Sequence, residues 1–177
     1  IINAWHYEFN KNNRDALIKS GTKQLNYARE LDPTLALSYV SLSVSFLIRE
    51  RHDDAWEIAR DVVKKCPNDP VAYFCFGLVS TAIEKYDEAL SAIDKAIDLD
   101  PLHLTNYLVL THCRFAMGDY QEAINSFENE FGEAPIEDFA PYDWSLIIAS
   151  YLKLNNKSRA SKLWKSVKKV YPEYNSE

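Results

Sequence analysis

Glycine is scarce in this chain, with four in 177 residues, and strand-like alternation of apolar and polar side chains is hard to find. Both absences favour helices before any motif is read. A cationic excess is missing too. Twenty Lys and Arg stand against 26 Asp and Glu, a net charge of −6. Phosphate backbones are held by dense positive surface, so nucleic acid is not expected as a direct partner. No apolar run approaches the roughly eighteen residues of a membrane span, so no membrane contact is expected for this segment.

The cysteines Cys66, Cys75 and Cys113 are odd in number and far apart, which suits neither a disulfide framework nor a zinc site. They read as buried free thiols and point to a reducing compartment, hence the cytoplasm. The chain starts Ile-Ile-Asn, without an initiator methionine or a secretory signal, and reads as a piece of a longer protein.

Motifs that carry chemistry are also lacking. There is no phosphate loop, no G-x-G-x-x-G and no G-x-S-x-G. His6, His52, His103 and His112 are scattered, without H-x3-H or H-E-x-x-H spacing. No metal, no cofactor and no enzymatic activity are therefore expected. The paired acids Asp53-Asp54 and Asp87-Glu88 fall where helices begin, and there they complement the helix dipole.

What the chain does contain is a period. Pro33, Pro67, Pro101 and Pro135 are each 34 residues apart, and Pro172 follows after 37. Tyr39, Tyr73, Tyr107 and Trp144 keep the same phase, each opening a first helix. Three residues on come Leu42, Phe76, Leu110 and Ile147. Ala55, Ala89, Ala123 and Ala160 mark a close helix contact, and Ala59, Ile93, Phe127 and Trp164 follow four residues later. Small alanines let backbones approach while an aromatic fills the space beside them. Proline cannot continue a helix, so it ends one hairpin and starts the next. Asp32, Asp69 and Asp100 stand beside these breaks, where turns and N-caps favour them.

The period predicts helices over about 2–11 and 14–31, 36–48 and 53–65, 70–83 and 87–99, 104–117 and 120–131, and 142–154 and 157–171. The two-proline connector at 132–141 is expected to be a distinct loop.

These residues resemble the tetratricopeptide-repeat family, whose signature reads W-x2-L-G-x2-Y, then A-x3-F, then P. Tyr73-x2-Phe76-Gly77 through Asp87-Glu88-Ala89 to Leu99-Asp100-Pro101 matches well, and Gly118-Asp119-Tyr120 is a turn typical of the family. The resemblance implies an all-α superhelical solenoid of about five hairpins, with residues 1–177 as a single domain. Its units are approximately 2–35, 36–69, 70–103, 104–140 and 141–177. The first is degenerate, having Glu8, Phe9 and Gly21 where leucine, glycine and alanine are usual, and is expected either to pack differently or to act as an N-terminal cap.

The implied function is that of a non-enzymatic scaffold for a protein or peptide partner. Some members of the family bind chaperone tails through a carboxylate clamp of Lys, Asn and Arg on successive first helices. Projection onto this chain gives residues such as Ser41, Val71, Cys75, Thr105 and Val109, without the charges, so no clamp is expected. The inward set is apolar instead: Val40, Val44, Leu47, Val71, Phe74, Leu78, Leu108 and Phe115, with His112 and Thr105 among them. Such a groove suits an apolar helix or an extended peptide. The alternative is that these side chains are covered within the chain, by the 132–141 loop or by tight curvature.

Charge is unevenly placed. Eight acids and no Lys or Arg lie between Asp119 and Asp143, whereas the last helix carries Lys157, Arg159, Lys162, Lys165, Lys168 and Lys169 without an acid. A solvated face is one reading, and attraction between two copies is another. Only Glu173 to Glu177 follow Pro172, so Trp164, Val167 and Tyr171 are expected to be part-exposed or covered by a second chain in a homodimer. A further resemblance, of Ala4-Trp5-His6-Tyr7, Ala28–Pro33, Ala149–Leu154 and Tyr171–Tyr174, is to repeat regions attached to bacterial class III adenylate cyclases and membrane-linked transcription regulators. It implies a regulatory or sensory module of a larger signalling protein.

Overall fold

The computed structural model describes residues 11–132 and 134–174, with side chains from residue 19 onward. Among the described residues the regular structure is all helical, as expected. The helices are α1 (Lys11–Leu31), α2 (Ala36–Leu47), α3 (His52–Lys65), α4 (Pro70–Ala82), α5 (Tyr86–Leu99), α6 (Thr105–Met117) and α7 (Tyr120–Phe131). A 3-10 turn at Ile136–Asp138 precedes α8 (Pro141–Lys153) and α9 (Lys157–Val170). The chain divides into two compact units, residues 1–109 and 110–177.

In the first unit α2 pairs with α3 and α4 with α5. Ala55, Ala59 and Val62 of α3 are buried together with Tyr39, Ala72, Cys75 and Val79. Small side chains at 55 and 59 allow the close approach that the repeated alanines announce. Gly77 in α4 also sits close against α5: a Cβ there would lie 2.6 Å from Ile93 Cγ1.

The proline ruler has a hydrogen-bonded counterpart. The Tyr39, Tyr73 and Tyr107 hydroxyls donate to the carbonyl oxygens of Pro33, Pro67 and Pro101 at 2.9, 3.1 and 3.2 Å. Each opening aromatic thus fills space and also fastens the turn six residues before it. The aspartates act locally, as expected. Asp69 Oδ1 accepts from the Val71 N–H at 2.8 Å, Asp32 Oδ1 from Thr34 at 2.9 Å, and Asp100 Oδ1 from Leu102 at 3.2 Å.

The four hairpin turns among the described residues share one device. Glu50, Glu84, Gly118 and Asn155 have φ of 59°, 64°, 87° and 59°. The next residue's N–H then bonds five residues back: Arg51 to Phe46, Lys85 to Ser80, Asp119 to Arg114 and Asn156 to Tyr151, at 2.8–3.0 Å. This is the Schellman closure, which satisfies carbonyls that the helix end leaves open. Glycine adopts that conformation without steric cost, whereas the two glutamates do not.

In the second unit α7 packs on α8 and α8 on α9. Its core is aromatic, with Phe127, Phe131, Phe139 and Trp144 at ring-centroid distances of 4.8–5.6 Å. Phe139 comes from the 132–141 connector, which is therefore committed to this core. The three inserted residues change the fastening as well. Trp144 Nε1 donates to the Ile136 carbonyl at 3.0 Å, eight residues back, and the Tyr171 hydroxyl reaches the Phe139 carbonyl at 3.0 Å.

Two expectations are corrected. Helix α1 runs unbroken from Lys11, so the break expected at 12–13 does not occur; the helix expected over 2–11 lies outside the described residues but for Lys11. Val167 is fully buried within the chain. The residues after α9 fold back along the chain: the Tyr174 ring lies 6.3 Å from that of Trp164, its hydroxyl meets Ser145 Oγ at 2.9 Å, and Lys168 Nζ donates to the Pro172 and Tyr174 carbonyls at 2.6 and 2.9 Å.

Candidate interaction surface

The groove residues expected from the sequence fall in both units. In the first, Val40, Val44, Val71, Phe74, Leu78 and Leu108 are all half-buried. Leu47 is different. It is 7% exposed and belongs to the core, so it cannot line an open face. Periodicity alone could not separate it, because it is apolar, lies three residues after Val44 and shares that helix face.

Leu37 is 64% exposed and stands 34 residues before Val71, in the same phase. That spacing was the available signal.

Phe74 lies 6.1 Å from the His103 ring, which is itself held by Thr105 Oγ1 at 2.5 Å. The apolar row therefore ends at polar groups. The positions projected for a clamp hold Cys75 and Val109, which are buried and could not reach a ligand.

In the second unit His112 and Phe115 are half-buried. His112 Nε2 meets Asp143 Oδ1 at 3.0 Å and joins α6 to α8, with the ring edge-on to Tyr142 at 5.4 Å. Burial pushes the Tyr142 hydroxyl above its ordinary pKa, and the neighbouring Asp143 adds to the effect. Phe115 packs edge-on to Tyr120 at 5.6 Å. Here the sequence had marked His112 but not its carboxylate partner, which is 31 residues away.

Acids and aromatics in this unit are also tied to one another. Glu128 accepts from the Tyr151 hydroxyl, which lies 3.3 Å from Arg159 Nη1. Burial, then the Glu128 hydrogen bond, raises the Tyr151 pKa.

Cys66, Cys75 and Cys113 are all buried. Among the described residues no group of histidines, cysteines and acids is arranged to hold a metal ion, and no helix is long and apolar enough to cross a membrane.

Comparison with known proteins points one way. Residues 53–130 match the family model described as anaphase-promoting complex, cyclosome, subunit 3. The chain is similar to the TPR repeat-containing protein YpiA of Bacillus subtilis, 24% identical over 159 residues, covering 89% of this chain and 36% of the relative. It is also similar to Hsp70-Hsp90 organizing protein 3 of Arabidopsis thaliana, 25% identical over 113 residues, covering 64% of this chain and 20% of the relative. The chain thus spans a minor part of these curated relatives. Among solved structures, MamA superposes with a TM-score of 0.67 at 18% identity, covering 93% of this chain and 96% of that one. YrrB, titled a TPR protein with an unusual peptide-binding site, gives 0.64 at 16% identity, covering 91% and 81%. The 34-residue register, the four hairpins among the described residues and these likenesses show a tetratricopeptide-type helical fold, and the chain is similar to proteins of the tetratricopeptide-repeat family.

Proposed function

We propose that the chain is a non-enzymatic scaffold that receives an apolar helix or extended peptide on the face of its first helices. Its contacts would be Leu37, Val40, Val44, Val71, Phe74, Leu78 and Leu108 in the first unit, with His112 and Phe115 as a further stretch in the second. The supporting observation is that this row of apolar side chains is only half-buried, and that Leu37 is 64% exposed. A partner that covers it removes apolar surface from water at about 25 cal/mol per Å2. Helix-in-groove recognition works in this way.

The clamp positions hold no cations, so chaperone tails are not the ligand in this reading. Residues 1–177 act as one domain in the cytoplasm, without a cofactor. The curated relatives are several times longer than the stretch matched, which favours a second reading: the chain is the partner-binding arm of a larger signalling protein.

The test is an affinity pull-down with the wild type beside Phe74→Glu. A charge placed in the apolar row is expected to remove one specific partner. Identical partner sets would sink the proposal.

A further inference from the structure

A second surface lies away from the first-helix row. A groove of about 630 Å3 is bounded by α3, α4 and α5. Val63 and Phe76 give it apolar walls, and the Phe76 ring stacks on Trp56 at 4.9 Å. Its rim carries Asp87, Glu88, Asp94 and Asp98 against a single amine, Lys95. All four carboxylates are exposed, and none is in an ion pair among the described residues.

The dipole explains two of them. Asp87 and Glu88 stand in the first turn of α5, where negative charge is favoured. Asp94 is in mid-helix and Asp98 in the last turn, where a carboxylate is disfavoured. Folding of α5 does not call for this pair.

The complementary surface is on α9. Ala160 and Val167 bury one side of that helix. Lys162, Lys165 and Lys169 are exposed on the other, at helical spacing, with no acid in the helix to offset them. Like charges three and four residues apart cost stability in an isolated helix. The 119–143 acids do not serve these lysines equally well, because several are already engaged. Asp143 pairs with His112, Asp119 with Arg114 at 3.6 Å, and Glu128 with Tyr151.

We propose that the α3–α5 groove receives α9 of a second copy of this chain, head to tail. The lysine stems lie along Val63 and Phe76 while their ammonium groups meet the carboxylates of α5. Two different surfaces are joined, so the contact is heterologous and extends into a row of molecules unless its rotation closes a ring. It is distinct from the first-helix face and does not depend on the function proposed for that face.

Sedimentation velocity across a concentration series, at low and at high salt, tests the idea. Association is expected to rise with concentration and to weaken with salt, since exposed charges are screened. Two variants supply the specificity: Asp94→Lys/Asp98→Lys in the groove, and Lys162→Glu/Lys165→Glu/Lys169→Glu on α9. Every substituted side chain is exposed, and circular dichroism checks that helix content is kept. Each variant alone meets like with like, and its dissociation constant is expected to rise by about tenfold or more. A mixture of the two pairs an acidic α9 with a basic groove and a basic α9 with an acidic groove, so association returns. Phe74→Glu is expected to associate as the wild type does. A wild type that stays monomeric at low salt, variants that associate unchanged, or a mixture that stays monomeric overturns the proposal.

Discussion

Replacement of Gly77 by alanine probes the close approach of α4 to α5 in the first unit. On an open helix face the change would stabilise by about 1 kcal/mol, because alanine is the better helix former. Here the new methyl would sit 2.6 Å from Ile93 Cγ1 and 3.5 Å from the Ala89 carbonyl oxygen. Cγ1 is bonded directly to the branched Cβ of a side chain that is 1% exposed, so it has little room to swing away. Overpacking of this kind costs about 1–3 kcal/mol. The steric cost outweighs the propensity gain, and the expected net destabilisation is up to about 2 kcal/mol. For a chain of this length that lowers the Tm by up to roughly 4–8 °C.

The cycle with Ile93→Ala is decisive. That substitution alone costs about 2–5 kcal/mol. In its presence the methyl has space, so Gly77→Ala is expected to become stabilising by about 1 kcal/mol. Urea unfolding followed by circular dichroism measures all four proteins. If Gly77→Ala raises stability equally in both backgrounds, close packing at this position is not what the glycine serves.

Further outcomes are expected elsewhere. Glu84→Gly relieves a left-handed glutamate at φ 64° and should stabilise by about 0.5–1 kcal/mol, whereas Gly118→Ala, at φ 87° in open space, should cost about 1 kcal/mol by urea titration. Burial pushes the Cys75 thiol up to about 12, well above its ordinary value near 9. Above pH 9 the unfolded chain therefore releases a proton that the folded chain keeps, and stability falls as pH rises from about 9 towards 12. Cys75→Ala should flatten that fall in a pH series of unfolding curves; an unchanged slope would refute the assignment.

The fold was legible because repetition supplied a phase. With Pro33, Pro67 and Pro101 aligned, the burial of Ala55, Ala89 and Ala123 followed from position alone. The candidate face was only partly legible. Phase identifies which side of a helix points inward, but it cannot say how deeply a neighbour covers each residue. Leu47 and Val44 share a face, yet only Leu47 is sealed in the core. Asp143 was invisible for another reason: its partner His112 lies in the preceding repeat, and no short-range spacing links them. The three-residue insertion was read correctly as a loop, but its aromatic anchor, Phe139, needed three dimensions to be recognised.

The hydroxyl that fastens each proline turn has a consequence for how such a chain changes length. The tyrosine at each repeat start spans a fixed gap of six residues to its carbonyl. When three residues enter the connector, that gauge no longer fits, and an indole N–H meets the chain eight residues back instead. A lengthened connector is therefore tolerated when the residue that closes it changes type in step. In this chain the aromatic at the head of a repeat thus follows the spacer before it, tyrosine after the 34-residue step and tryptophan after the longer one.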